Sequence, residues 1–180
     1  YKKSMGFSEV PTLSFTTFEY LDAKFQKSGS HPVRMVVLYR PPSSNHDSFL
    51  EEFANLVETV ITDKATLIIT GDFNYHIDVD EDKEANSFLI LVNDLGLSLH
   101  VQVATHEKGH ILDLILTRKS ESIVGHIKID RAVYSDHFTV VADISIPVPE
   151  DLRTTISVRK WSGLNKDTLK GSLKEIGRAH

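Results

Sequence analysis

The chain has 180 residues, 41% of them hydrophobic and 25% charged, and it contains no cysteine. Those proportions fit one globular domain or slightly more, and they exclude a disordered tail, a collagen-like fibre, a disulfide framework and a zinc–thiolate site. The net charge of −5 argues against a purely electrostatic nucleic-acid clamp, which would carry a basic face, but it does not exclude an enzyme that gathers carboxylates around a metal ion.

No run approaches the roughly 18 apolar residues of a membrane span, so no membrane partner is expected. Nothing of signal-peptide type follows Tyr1-Lys2-Lys3-Ser4, which predicts an intracellular protein, nuclear or cytoplasmic. The chain starts on Tyr1 rather than Met, and residue 1 is expected not to be the true start. Between Pro11 and Ser28-Gly29-Ser30, Phe15, Phe18, Leu21 and Phe25 are compatible with a short helix or an irregular strand. Val33 to Tyr39 is apolar and β-branched and is stopped by Pro41-Pro42, the pattern of a buried strand.

Asp47 is the expected N-cap of a helix, with Glu51 and Glu52 near its positive end. Phe49, Leu50, Phe53, Leu56, Val57, Val60 and Ile61 form its single apolar stripe. Ala65 to Thr70 predicts a second buried strand ending at Gly71, and Asp78 to Glu84 a solvated loop. A helix over 85–94, a short extended piece over 97–103, and strands over 111–116, 123–129 and 138–146 follow. Polar, extended texture begins after Pro149, where a domain boundary is placed, and a helix is expected to start near Asn165. Strands alternating with helices early, then consecutive strands, predict an α/β layered sandwich.

Three short motifs sit at strand ends. In Gly71-Asp72-Phe73-Asn74, glycine permits a sharp exit, and an extended exit would aim Asp72 and Asn74 the same way. Such a pair suits holding and polarising a water, although Gly, Asp and Asn are also ordinary turn residues. In Ile111-Leu112-Asp113-Leu114-Ile115 a lone carboxylate stands in an apolar strand, where it needs a partner. That partner is either a structural cation or His137 of Ser135-Asp136-His137, whose tautomer Asp113 would fix. His106, His110 and His126 read as surface residues, and Lys108 and Arg118 as plain surface or DNA-backbone contacts.

Taken in order, Tyr39-Arg40-Pro41-Pro42, Gly71-Asp72-Phe73-Asn74, Thr105 with Leu112-Asp113-Leu114-Ile115, and Ser135-Asp136-His137 resemble the endonuclease/exonuclease/phosphatase superfamily. Within it, the chain looks most like the endonuclease domain of LINE-type (non-LTR) retrotransposons over roughly residues 15–147. The resemblance implies a two-sheet α/β sandwich of the deoxyribonuclease I-like type that nicks DNA with Mg²⁺ (or Mn²⁺), leaving a 3′-hydroxyl to prime reverse transcription. It implies that Asp72 activates the attacking water, that Asn74 holds it, and that His137 contacts the phosphate with Asp113 as its partner. Tyr39, Thr105 and Ser135 would bind around the phosphate, and Asp136 would lie near the metal. The implied partners are DNA and the rest of a retrotransposon polyprotein.

The resemblance also implies an earlier strand bearing Asn and another bearing the metal-anchoring Glu. Glu9 and Glu19 are the only glutamates before Tyr39, and neither ends an apolar strand. The expectation is therefore a domain over 1–149 lacking its N-terminal part, with an apolar face left exposed and little nicking by the 180 residues alone. Residues 150–174, with Arg159-Lys160-Trp161, resemble a linker toward a reverse transcriptase. Residues 175–180, Glu-Ile-Gly-Arg-Ala-His, match one reading frame of a common sequencing adapter and are expected to be non-biological. Two other readings stay open: another superfamily hydrolase, such as a repair nuclease or a phosphoesterase, and an inactive relic or binding module.

Overall fold

β-branched and aromatic residues at period two generate most of the strands, and in this computed structural model they assemble into two sheets. The structure describes residues 5–10, 13–27, 29–132 and 134–146, all within one unit, Tyr1–Pro149. The expected linker over 150–174, the helix near Asn165 and the tail over 175–180 lie outside the described residues.

In chain order the elements are β1 (Met5–Glu9), β2 (Glu19–Lys27), β3 (Val33–Tyr39), α1 (His46–Ile61), β4 (Thr66–Asp72), α2 (Lys83–Asp94), β5 (Leu97–Leu99), β6 (Asp113–Arg118), β7 (Val124–Asp130) and β8 (Thr139–Ile144). Six strands form one sheet in the order β1-β2-β3-β4-β6-β5, and β7 pairs with β8 in a second. Only β3 and β4 run parallel, joined by α1 as the crossover that parallel neighbours require. This is the α/β two-sheet architecture the motifs imply.

Alternation along the central strands divides their side chains between two cores. Val36, Leu38, Leu67, Ile69, Leu114 and Leu116 pack under Phe49, Phe53, Leu56, Val57 and Val60 of α1 and Phe88 and Val92 of α2. Their intervening neighbours Val33, Ile68 and Ile115 point the other way, onto a cluster edged by Val124, Ile127, Val140, Ala142 and Ile144 of β7 and β8. Each fully buried Phe or Leu contributes roughly 1.5–3 kcal/mol relative to exposure. The second sheet does not cover this entire face: Phe7, Leu21 and Val37 are exposed on its β1–β3 side.

Several local expectations shift. The stretch around Phe18 to Phe25 contributes to strand β2, not a helix, because its partner β3 supplies a full antiparallel ladder. The N-cap of α1 is Asn45, whose side chain accepts the Ser48 N–H at 2.9 Å, and Asp47 falls inside the first turn. Glu52 instead takes four donors, the amides and hydroxyls of Thr16 and Thr17. The acidic stretch is not merely solvated: Asp82 caps α2 through the Ala85 N–H, and Asp78 accepts the Ile111 N–H. Arg118 is internal, donating to the carbonyls of Val60, Ile61, Asp63 and Ala65 around the end of α1.

Asp63 closes this corner. It sits 2.6 Å from Lys24 Nζ and 2.9 Å from Arg34 Nη1, and it accepts the Ala65 N–H. Burial raises its pKa, but the Ala65 N–H, Lys24 and Arg34 outweigh that and leave the carboxyl at about 2. A depressed carboxyl stabilises the fold above its unfolded pKa and loses that contribution as pH falls through the folded value. Asp63 is therefore expected to contribute about 2 kcal/mol at neutral pH, lost between about pH 4 and pH 2. Denaturant unfolding of Asp63→Asn against wild type at pH 7, 4 and 2.5 checks this: the stability gap should be largest at pH 7 and shrink with acid.

Candidate active site

The site is built where β4 leaves the sheet. Gly71 has φ +140°, and a Cβ there would lie 1.8 Å from the Leu38 carbonyl oxygen, so the close pairing of β3 with β4 requires glycine. The strand continues through Asp72, one residue past its expected end at Gly71. Register then places Tyr39, Asp72 and Asp113 side by side across β3, β4 and β6. Partners in register share a face, so all three side chains leave the sheet on the side of β7 and β8.

Asn74 does not follow an extended exit. Its φ is +50°, the left-handed region that Asn tolerates, and the chain folds back on itself. Its N–H donates to Asp72 Oδ1 and its Nδ2 to Asp72 Oδ2, each at 3.0 Å. The segment is an Asx-type turn that also fixes the Asp72 carboxylate.

The fourth group arrives from the segment before β8. His137 Nδ1 lies 2.9 Å from Asp113 Oδ2, and its Nε2 lies 3.9 Å from Asp72 Oδ2. A carboxylate only accepts, so Nδ1–H donates to Asp113 and Nε2 is left facing Asp72. Burial lowers the His137 pKa, but the Asp113 bond and the charges of Asp113, Asp72 and Asp136 raise it above the ordinary imidazole value. Burial raises the pKa of Asp72, reinforced by Asp113, against the lowering effects of the Asn74 donors and His137.

Thr105 is fully buried, and its hydroxyl accepts the N–H groups of Leu112 and Asp113 at 3.0 Å each. It therefore holds the start of β6 and does not face solvent. Ser135 is exposed, and its Oγ accepts the His137 N–H at 3.1 Å, which leaves the hydroxyl proton free to donate. Tyr39 is half-exposed beside Asp72. Asp136 projects outward with its side chain 60% exposed, and its Oδ2 lies 3.2 Å from His106 Nε2.

His106 is the residue the sequence reading missed. It is buried, not on the surface, and its ring stands edge-on to His137 at 5.0 Å. Its Nδ1 accepts the Lys108 N–H, which puts the proton on Nε2, toward Asp136. The backbone of the Thr105–His110 turn also grips the Ser-Asp-His segment, through Glu107 N–H to the Asp136 carbonyl at 2.8 Å and Phe138 N–H to the Thr105 carbonyl. The available signal was its place beside Thr105 in a turn closed by Gly109. Two groups of ligand atoms result, His106/Asp136/His137 and Asp72/Asp113/His137, and no glutamate belongs to either among the described residues.

The two-sheet sandwich is the fold of the endonuclease/exonuclease/phosphatase superfamily, and an Asp–His–Asp cluster stands at the rim of its strands. The profile of the family described as endonuclease-reverse transcriptase matches residues 33–141, more than half of the chain. The chain belongs to that family.

Solved structures agree on the fold. The endonuclease domain of TRAS1, a telomere-specific non-LTR retrotransposon, superposes with a TM-score of 0.65 at 20% identity, covering 78% of this chain and 67% of that one. The 3′ phosphatase NExo from Neisseria, bound to a product DNA hairpin, gives 0.52 at 20% identity, covering 69% and 64%. The catalytic domain of human Nocturnin gives 0.51 at 17% identity, covering 78% and 60%. The chain therefore spans 60% to 67% of the length of these three structures. No curated protein matches the sequence.

Two outcomes follow from this geometry. Asp113→Asn should lower the His137 pKa, because it removes the carboxylate whose hydrogen bond and charge do most to hold the imidazolium in place, and an NMR titration of the imidazole reads this directly. Gly71→Ala should cost more than about 3 kcal/mol or prevent folding, since backbone must move to admit the methyl group. A denaturant melt near wild type would refute the close-approach argument.

Proposed function

We propose that the chain is the catalytic portion of a metal-dependent DNA endonuclease domain of the non-LTR type, nicking one strand to leave a 3′-hydroxyl that primes reverse transcription. The observation that carries this reading is the meeting of Asp72, Asp113 and His137, which come from three separate stretches of sequence. Asp72, held by both Asn74 donors, accepts a proton from the water that attacks phosphorus. The P–O3′ bond breaks, the new P–O bond leaves a 5′-phosphate, and the departing oxygen takes a proton from solvent to become the 3′-hydroxyl. His137, charged and fixed by Asp113, donates from Nε2 to a non-bridging phosphate oxygen, where negative charge gathers. Ser135 and Tyr39 add hydroxyl donors at the same rim, and Thr105 acts through Asp113.

The carboxylate oxygens present fit part of the shell of a hard cation, the rest of which the upstream glutamate implied by the resemblance would supply. Mg²⁺ and Mn²⁺ prefer oxygen ligands, and Mg²⁺ commonly takes one or two carboxylates plus water and phosphate. Asp136, exposed and with only one oxygen turned to His106, would hold it. Such an ion supplies charge neutralisation at the phosphate. Partners in this reading are DNA and the remainder of a polyprotein, and the compartment is intracellular.

Conversion of supercoiled plasmid to open circle tests the reading, using the 180-residue chain and the same chain extended upstream of Tyr1 by its own reading frame. Little nicking is expected from the former, since neither ligand group contains a glutamate. The extended chain should nick with Mg²⁺, and Asp72→Ala or His137→Ala should each lower the rate by at least about 100-fold. Nicking that survives both substitutions, or faster hydrolysis of a soluble phosphate ester than of DNA, would overturn it.

A further inference from the structure

Arg40 is 2% exposed, yet among the described residues it makes no ion pair. Its Nη1 donates to the carbonyls of Phe73 and Asn74 at 3.4 and 3.3 Å, and its Nη2 to the Ser44 carbonyl at 3.2 Å. The guanidinium lies over the ring of Tyr75, 4.1 Å from the centroid, with Phe49 at 5.2 Å. Among the described residues, its buried Nε has no hydrogen-bond partner.

Stability alone does not account for this arrangement. A buried cation without a carboxylate carries a desolvation cost of several kcal/mol, and an unsatisfied donor adds more. An apolar side chain of similar volume, such as Met, would fill the space between Tyr75 and Phe49 without either cost. What Met would not do is bind carbonyl groups, and two of the three carbonyls bound here, those of Phe73 and Asn74, belong to the turn that follows Asp72.

The main chain of Arg40 closes the grip from the other side. Its N–H donates to the Asp72 carbonyl at 2.9 Å, and its carbonyl accepts from Asn74 Nδ2 at 2.8 Å. Asn74 is therefore held at both ends, its backbone carbonyl by the guanidinium and its side-chain amide by the Arg40 carbonyl. The same amide donates to Asp72 Oδ2. Asn74 is the only non-glycine with positive φ among the described residues, a conformation that needs its surroundings to hold it.

We propose that Arg40 is a positioning residue: its guanidinium and its own carbonyl clamp Asn74 in the left-handed turn, and through Asn74 they aim the Asp72 carboxylate at His137. Its value to the reaction rests on the reading of Asp72 and His137 as reacting groups. The clamp itself does not.

Two measurements separate these. In the 180-residue chain, the side-chain amide protons of Asn74 should exchange with solvent at least about tenfold more slowly than those of exposed Asn55. In Arg40→Met they should approach the Asn55 rate while the far-UV spectrum is kept, and in Arg40→Lys they should fall between. Equal rates for Asn74 and Asn55 in the wild type would refute the clamp, whatever the variants do.

In the upstream-extended chain, Arg40→Met should lower the single-turnover nicking rate at saturating DNA by about 100-fold while DNA affinity changes by less than about twofold. Arg40→Lys should recover part of the loss, and guanidinium ion should partly restore Arg40→Ala. A fall in melting temperature or affinity with the rate of the bound complex unchanged would assign Arg40 to the fold alone and overturn the proposal. Should Arg40→Met fail to fold, Arg40→Lys carries the same comparison. Protection of Asn74 that depends on Arg40, in a chain that never nicks DNA, would leave the clamp standing and remove the nuclease reading.

Discussion

Strand β4 is paired on both sides, and the register of those two pairings decides where the carboxylates stand. A slip of one residue against β3 or β6 would turn Asp72 into the aromatic core and Leu67 out of it. That slip is opposed by the burial of Leu67 and Ile69 beneath α1 and by Gly71, which alone can lie against the Leu38 carbonyl. The apolar core therefore enforces the alignment of polar groups that it does not contain. Tyr39, Asp72 and Asp113 are neighbours because Leu38, Gly71 and Leu114, one step along each strand, are neighbours too.

The second sheet contributes through His137. Two carboxylates across one strand pair repel each other, and at Asp72 this adds to the burial that chiefly raises its pKa. An imidazole bonded to Asp113 and facing Asp72 relieves that repulsion and gains a raised pKa from both. The three groups therefore depend on one another: the aspartates favour the charged form of His137, and that form in turn eases their closeness. His106 and Thr105 hold this arrangement from outside it, one on Asp136 and the other on the start of β6.

Much of this was legible in the residues. Val33 to Tyr39 and Ala65 to Thr70 could only be buried strands, and the stripe from Phe49 to Ile61 could only be a helix, because periodicity and propensity agree there. The three motifs placed at strand ends lie there: Asp72 ends β4, Asp113 opens β6, and Ser135-Asp136-His137 runs into β8. What stayed hidden depended on contacts between segments far apart in sequence. His106 looked like one surface histidine among nine, since nothing local announces that it will lie against His137. Arg118 looked like a surface cation because its four carbonyl partners belong to the far end of α1 and the loop beyond it. The choice of Asn45 over Asp47 as a cap turned on backbone geometry that residue type does not encode. The left-handed turn at Asn74 was hidden for the same reason, since an extended exit and an Asx turn share one sequence.

The acidic balance of the chain also looks different once the carboxylates are placed. Glu52, Asp63, Asp78 and Asp82 are each bound by internal donors, and Asp63 is also paired with Lys24 and Arg34, so these carboxylates are committed to the fold. The charge that matters to an incoming phosphodiester is the cluster of Asp72, Asp113 and Asp136, offset by two imidazoles at most. Alone, that cluster repels phosphate. In the nuclease reading, a divalent cation held by Asp136 would offset that charge, so the carboxylates that bar an anion when the ion is absent would help to seat it when the ion is present. Engagement of DNA at this rim is then coupled to the cation by electrostatics alone, before any bond is broken, and a net negative chain is no obstacle to acting on a polyanion.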